Sequence, residues 1–232
     1  QRNQYQIRKP EEILESDFGY RTGYHTAEIL QPIRSYFLGL WLGDGGHDKA
    51  EITTIDPEII EEVHIECELR GLEYVQYLEQ GHIVHARMKY KQGVKHPFIN
   101  LLKELNLFKN KHIPEIYFQG SRGQRLDLIA GLLDSDGTLV KRKHEYWVFS
   151  NKNENLAKGL KRLALSCGLM STCVQRGIYW YVSISGDLSI VPIRVKRKQS
   201  LYRSKKDVLK SRLTVESLGV GDYAGIVLDK DH

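Results

Sequence analysis

Two short stretches constrain this chain more than anything else in it: Phe37-Leu-Gly-Leu-Trp-Leu-Gly-Asp-Gly45 and Leu128-Ile-Ala-Gly-Leu-Leu-Asp-Ser-Asp-Gly137. Each is an apolar run that ends in aspartate followed by glycine. Gly39 and Gly43 stand four residues apart, as do Gly131 and Ser135, so on helices each pair makes a small-residue strip along one face. Two such strips facing each other let the backbones come closer than the usual 8–10 Å between helix axes. Glycine inside a helix costs roughly 1 kcal/mol relative to alanine, so its repeated use there points to a packing need.

The terminal acids, Asp44 and Asp136, lie 92 residues apart. An acid at a helix C-terminus meets an unfavourable dipole, and two side by side also repel. A divalent cation with oxygen ligands, most simply Mg²⁺, would relieve both problems by bridging the carboxylates and a substrate phosphate. The plainer reading makes them surface acids beside turn glycines, and their equivalent places in a repeated unit weigh against it. Asp134 falls opposite Leu42 when the copies are aligned, so as a metal ligand it would have no counterpart.

The segments after the two motifs also match. Asp56-Pro-Glu opens a helix with the stripe Ile59, Ile60, Val63 and Cys67, stopped by Gly71. Asn153 opens another with Leu156, Leu160, Leu163, Ala164 and Cys167, stopped by Gly168 at the same offset. Strands are expected at 50–55, 74–78, 82–88, 147–150, 171–175 and 178–184 from alternation and β-branching. A short helix is expected over 97–107. Pro32 suits the first turn of the first motif helix, and Ser121 with Gln124 forms a capping-box pattern before the second. These correspondences predict an internal duplication of about 95 residues, too long a period for a solenoid. The expected divisions are an arm at 1–30, halves at 31–115 and 116–206, and a tail of short strands at 207–232.

The composition, 41% hydrophobic and 27% charged, is that of a globular protein rather than a disordered one. No apolar run approaches the roughly 20 residues of a membrane span, and no membrane partner is expected. Cys67, Cys167 and Cys173 have neither metal-type spacing nor a disulfide framework, which suits a reducing compartment. With a net charge of only +5, the distribution matters more than the total. Arg194, Lys196, Arg197, Lys198, Arg203, Lys205 and Lys206 form one run without an acid. Lys141, Arg142 and Lys143 follow the second motif, and Lys89 and Lys91 lie in the first half. Single runs of this kind are usually solvated faces; beside paired acids they fit contacts to a phosphate backbone. Strand residues Thr53, His85, Arg87, Gln175, Trp180 and Tyr181 are candidate base readers, since a β-ribbon fits a major groove.

The two motifs resemble the signatures of the LAGLIDADG homing endonucleases. The second copy is close, and the first departs at its sixth position, where Leu42 replaces an acid. The resemblance covers roughly residues 30–205. It implies an α+β fold of duplicated αββαββα units about a pseudo-twofold axis, with a central pair of motif helices and two saddle-shaped antiparallel sheets straddling double-stranded DNA. It further implies that Asp44 and Asp136 bind Mg²⁺ and that a monomer makes a staggered double-strand break with 3′ overhangs. In intein-borne members a lysine before an Ile-Pro pair helps catalysis, which Lys111 of Lys111-His-Ile-Pro114 matches. Its second-half counterpart lies in a basic pair, for which Lys198 is chosen over Lys196. Gly219–Leu228 is similar to the C-terminal splicing segment of inteins of the yeast vacuolar ATPase type, without the residues that would complete splicing. An intracellular location is implied, nuclear in a eukaryotic host. The competing readings are an RNA maturase of the same type and a silent DNA-binding regulator, and neither needs two repelling acids.

Overall fold

The computed structural model describes residues 18–20, 23–81, 83–204 and 209–212, with Glu216 and Gly221. Lys205 and Lys206, most of the N-terminal arm and nearly all of the 213–229 tail lie outside the described residues. The chain divides into two units, residues 21–209 and a second made of 1–20 with 210–232. In the described part of the second unit, strand β1 (Phe18–Tyr20) pairs antiparallel with β9 (Lys210–Arg212).

In the larger unit the order is α1 (Ser35–Asp44), β2 (Glu51–Thr54), α2 (Pro57–Arg70), β3 (Glu73–Glu79), β4 (Ile83–Lys89) and α3 (Pro97–Glu104). After a short connecting helix α4 (Glu115–Gln119), it continues with α5 (Arg122–Asp136), β5 (Gly137–Lys141), β6 (Glu145–Asn151), α6 (Glu154–Ser166), β7 (Met170–Arg176) and β8 (Tyr179–Ser185). The helices stop as their sequences dictate. Gly71 and Gly168 take the left-handed conformation, φ 61° and 80°, which only glycine adopts without strain. The capping box of Ser121 with Gln124 forms, and the Asn153 side chain accepts from the Leu156 amide.

Helices α1 and α5 are the motif helices, and they pack backbone to backbone. A Cβ added to Gly39 would lie 2.5 Å from the Leu128 carbonyl oxygen and 2.8 Å from the Leu132 amide. One added to Gly131 would lie 2.1 Å from the Tyr36 carbonyl oxygen and 2.9 Å from the Leu40 amide. Shifting every residue of the first set by 92 positions produces the second, which is the reciprocity a twofold axis imposes. Further along the strip, a Cβ on Gly43 would overlap the Ser135 side chain. Ile33, Phe37, Leu38, Leu40 and Trp41 on and beside α1, with Leu128, Ile129, Leu132 and Leu133 on α5, fill the surrounding core.

The first motif helix does not begin at Pro32 as the sequence suggests. The Tyr117 hydroxyl donates to the Ile33 carbonyl at 2.8 Å and accepts from its amide at 3.2 Å. With both backbone groups engaged by a tertiary partner, Ile33 stays outside the helix, which starts at Ser35.

Each half builds one antiparallel sheet, in the order β2-β4-β3 and β5-β6-β8-β7. Ile52, Val84, Ala86 and Met88 point inward from the first sheet, and Trp147, Phe149, Val182 and Ile184 from the second. Strand β5 is absent from the sequence expectations, because the basic run at its end masks the alternation of Thr138, Leu139 and Val140. Its counterpart in the first half is a single bridge, Gly45 to Ile52. There the chain turns at Gly46–Lys49 before a full strand can form. The αββ order is thus complete in the second half and abbreviated in the first. Helix α4 also carries no periodic signal, being only five residues long. Among the described residues no helix is long and apolar enough to cross a membrane.

Candidate metal centre

Asp44 and Asp136 are the last residues of α1 and α5, and the closely packed helices bring them within hydrogen-bonding reach of each other. The glycine after each is a matter of space. A Cβ on Gly45 would lie 2.4 Å from the Trp41 carbonyl oxygen, and one on Gly137 2.5 Å from that of Leu133. Burial, then the negative charge of Asp136, push the Asp44 carboxyl up to about 7, against the pull of Lys198 and Lys111. Asp136 accepts a hydrogen bond from the Asn151 amide at 3.2 Å.

Among the described residues no three His, Cys, Asp or Glu side chains converge on a metal site. The donors here are the two carboxylates at the two helix ends. That all-oxygen set suits a hard cation that keeps water or phosphate in its remaining positions, and does not suit zinc. The unfavourable pairing of the carboxylates is itself what a divalent cation would neutralise.

Each helix end carries a lysine. The Lys111 ammonium donates to the carbonyls of Gly43 at 3.1 Å and Gly45 at 2.6 Å, and lies 5.1 Å from the Trp41 ring centroid. Lys198 donates to the carbonyls of Leu133 at 3.1 Å, Asp134 at 2.6 Å and Ser135 at 2.8 Å. Gly43 and Ser135 are equivalent positions, so the two lysines meet the two helix ends at one shared position. Apart from the Leu133 carbonyl, which also accepts from the Gly137 amide, these carbonyls have no amide partner in the helix, and both lysines face the negative end of its dipole. Burial lowers both ammonium groups, Lys111 to about 8. Lys196, the alternative to Lys198, is exposed.

Asp134 has a different task. It is fully buried, and one carboxylate oxygen accepts from the Tyr36 hydroxyl at 2.7 Å and the Arg194 amide at 2.8 Å. It thereby anchors the segment that delivers Lys198. Asn151 and the Tyr36–Asp134 contact are missing from the sequence reading, since neither leaves a periodic or motif signal.

The basic residues divide into two groups. Lys89, Lys91, Lys141, Arg142, Lys143 and Lys196 are exposed. Arg194 pairs with Glu62 and lies 3.8 Å from the Tyr36 ring centroid, and Arg197 grips Asp56 at 2.8 and 2.7 Å. Arg203 contacts Ser189 and Asp187. Thr53, His85 and Arg87 share the open face of the first sheet, where Arg87 is held by Glu51 at 2.5 Å and lies 5.2 Å from the Tyr77 centroid. Tyr181 lies on the open face of the second sheet. Gln175 and Trp180 alternate to the helix side, in register with Asn151. Trp180 packs there against the core, so neither it nor Gln175 lies on the face expected for base readers.

Residues 123–210 match the LAGLIDADG-like domain family. The chain is 38% identical over 141 residues to the replicative DNA helicase DnaB of Mycobacterium intracellulare, covering 61% of this chain and 20% of that one. It is 27% identical over 167 residues to the homothallic switching endonuclease of Saccharomyces cerevisiae (strain ATCC 204508 / S288c), covering 61% and 28%. The chain thus spans less than a third of either relative. Among solved structures, the crystal structure of I-DmoI in complex with DNA and Ca superposes with a TM-score of 0.50 at 16% identity, over 66% of this chain and 83% of that one. The architecture, two antiparallel sheets with paired motif helices, is the LAGLIDADG homing-endonuclease fold. The chain is LAGLIDADG-like in sequence and fold, similar to DNA endonucleases.

Proposed function

We propose that this chain is a site-specific endonuclease that hydrolyses both strands of double-stranded DNA at a long asymmetric target, leaving a staggered break. The observation that carries the reading is the pair of aspartates presented side by side by two reciprocally packed helices, each helix end holding a lysine. Asp44 and Asp136 would hold a divalent cation, with Mg²⁺ the natural occupant of an all-oxygen site. When bound, such a cation polarises a phosphodiester and lowers the pKa of an attacking water. The chain's own part is to hold two carboxylates at one point and to keep Lys111 and Lys198 beside them. There the lysines offset charge that builds on a phosphate in the transition state. I-DmoI, whose fold this chain shares, has been solved with DNA and Ca, which supports DNA and a divalent cation as ligands here.

One chain supplies both acids and both lysines, which supports action as a monomer. The exposed cations Lys89, Lys91, Lys141, Arg142, Lys143 and Lys196 are assigned to the phosphate backbone. Origin within an intein of the yeast vacuolar ATPase type rests on the resemblance of Gly219–Leu228, and an intracellular setting, nuclear in a eukaryotic host, on the cysteine usage and the homing-endonuclease resemblance. The decisive experiment is Asp136→Asn. It should retain specific DNA binding and lose cleavage in Mg²⁺ by at least about a thousandfold, the scale of losing a charge-stabilising group. Cleavage at the wild-type rate would refute the metal assignment.

A further inference from the structure

The two lysines do not hold their positions unaided, and the groups that fix them come from the opposite half of the chain. Lys111 lies near the end of the first half and caps α1, yet its backbone carbonyl accepts a hydrogen bond at 2.5 Å from the side-chain amide of Asn153, in the second half. Lys198 lies near the end of the second half and caps α5, yet its neighbour Arg197 is gripped through two hydrogen bonds by Asp56, in the first half. Asn153 and Asp56 are equivalent residues. Each directly precedes the flanking helix of its half, α6 or α2, and stands 15 residues before that helix's left-handed glycine. Each also donates its backbone amide to the side-chain oxygen two residues earlier, on Asn151 or Thr54, at 2.9 and 3.1 Å.

We infer that Asp56 and Asn153 are positioning residues acting in trans: each clamps the lysine that serves the other half's motif helix. The inference rests on the function proposed above, in that it gives the lysines something to position for. The clamps differ in chemistry. Asn153 uses a neutral amide, and its other side-chain atom still caps α6. Asp56 makes no side-chain cap on α2, and both its carboxylate oxygens go to Arg197. The Asn153 clamp is closed further by the path from Asn153 through Asn151 to Asp136. Lys111, which sits beside Asp44, is therefore tied to the opposite acid as well. Neither half can set its own lysine without the other half docked.

The test uses serine at both positions, since serine is favoured at the N-cap of either helix and lacks the group that makes the clamp. Amine acylation of the intact chain, read peptide by peptide by mass spectrometry, reports how open each lysine is without any need for activity. Asn153→Ser should raise labelling of Lys111 roughly tenfold, the effect of removing one hydrogen bond on a local opening equilibrium, and leave Lys198 unchanged. Asp56→Ser should do the reverse, and Arg197→Met should reproduce it should Asp56→Ser fail to fold. On a supercoiled target, the two serine variants should accumulate nicks in opposite strands. Labelling that rises at both lysines in both variants, or at neither, overturns the inference. A wild-type chain that cuts no DNA would instead sink the proposed function, while the labelling pattern would still decide the clamps.

Discussion

Asp44 is held where its charge is least welcome, and the cost can be measured without DNA. Its carboxyl is pushed from an ordinary 3.8 up to about 7 by burial and by Asp136. Between those values the native state keeps a proton that the unfolded chain has released, so the contribution to stability is full below about pH 4 and declines as pH rises towards 7. Lys111, lowered from 10.5 to about 8, has the opposite sign in a different window, with stability rising between pH 8 and 10.5. The cation-free protein should therefore lose of order 2 kcal/mol between pH 5 and 7.5 from Asp44, after discounting for screening at a partly exposed site. That is roughly 5 °C in melting temperature. Asp44→Asn should flatten the slope, as should millimolar Mg²⁺ in the wild type. An Asn variant with an unchanged slope would show that the carboxyl ionises freely. The pairing of Asp44 and Asp136 is legible in the sequence, because the Asp-Gly pair repeats. The buried role of Asp134 is legible only as a missing partner, since nothing in the chain names Tyr36 and the Arg194 amide as its hydrogen-bond donors.

At the scale of the element, the motif helices depend on two glycines whose absent side chains leave room for the neighbouring backbone. Gly131→Ala brings a methyl to 2.1 Å from the Tyr36 carbonyl oxygen. The helices must separate, and the weakened packing should outweigh the roughly 1 kcal/mol that alanine adds to helix stability. A net destabilisation of about 3 kcal/mol is expected by urea denaturation. Gly123→Ala, on the same helix but with only the Ser121 hydroxyl oxygen 3.7 Å away, should be neutral or slightly stabilising. If the two substitutions behaved alike, close backbone contact would not be what holds α1 to α5. The strip of small residues can be read directly from four-residue spacing. Helix α1's true start cannot, because Tyr117 lies more than eighty residues away in sequence and overrides the proline signal. The inward turn of Gln175 and Trp180 is hidden for a related reason: register across β6 and β8 decides the faces, and a single strand does not reveal its neighbours.

At the scale of the whole molecule, the positive charge counted in the sequence is used in two ways. Arg194 and Arg197 bind Glu62 and Asp56 across the halves, and Lys198 is buried in a helix end. Lys141, Arg142 and Lys143 are exposed around the end of β5, close in sequence to Asp136. Cations of the second kind can exchange counterions with a phosphate backbone without first breaking an ion pair inside the protein. If they do, replacing Lys141 and Lys143 by alanine should reduce the slope of log K against log salt by about 0.9 for each phosphate that is no longer neutralised. Arg194→Gln should leave that slope nearly unchanged and lower the melting temperature instead, because it leaves Glu62 short of a partner inside the protein. The measurement is a set of binding isotherms on target DNA between roughly 50 and 200 mM salt, made with Ca²⁺ in place of Mg²⁺. A salt slope that falls as much for Arg194→Gln as for the paired lysine variant would mean that the arginine leaves Glu62 for the DNA, and that the clasp between the halves opens when DNA is bound.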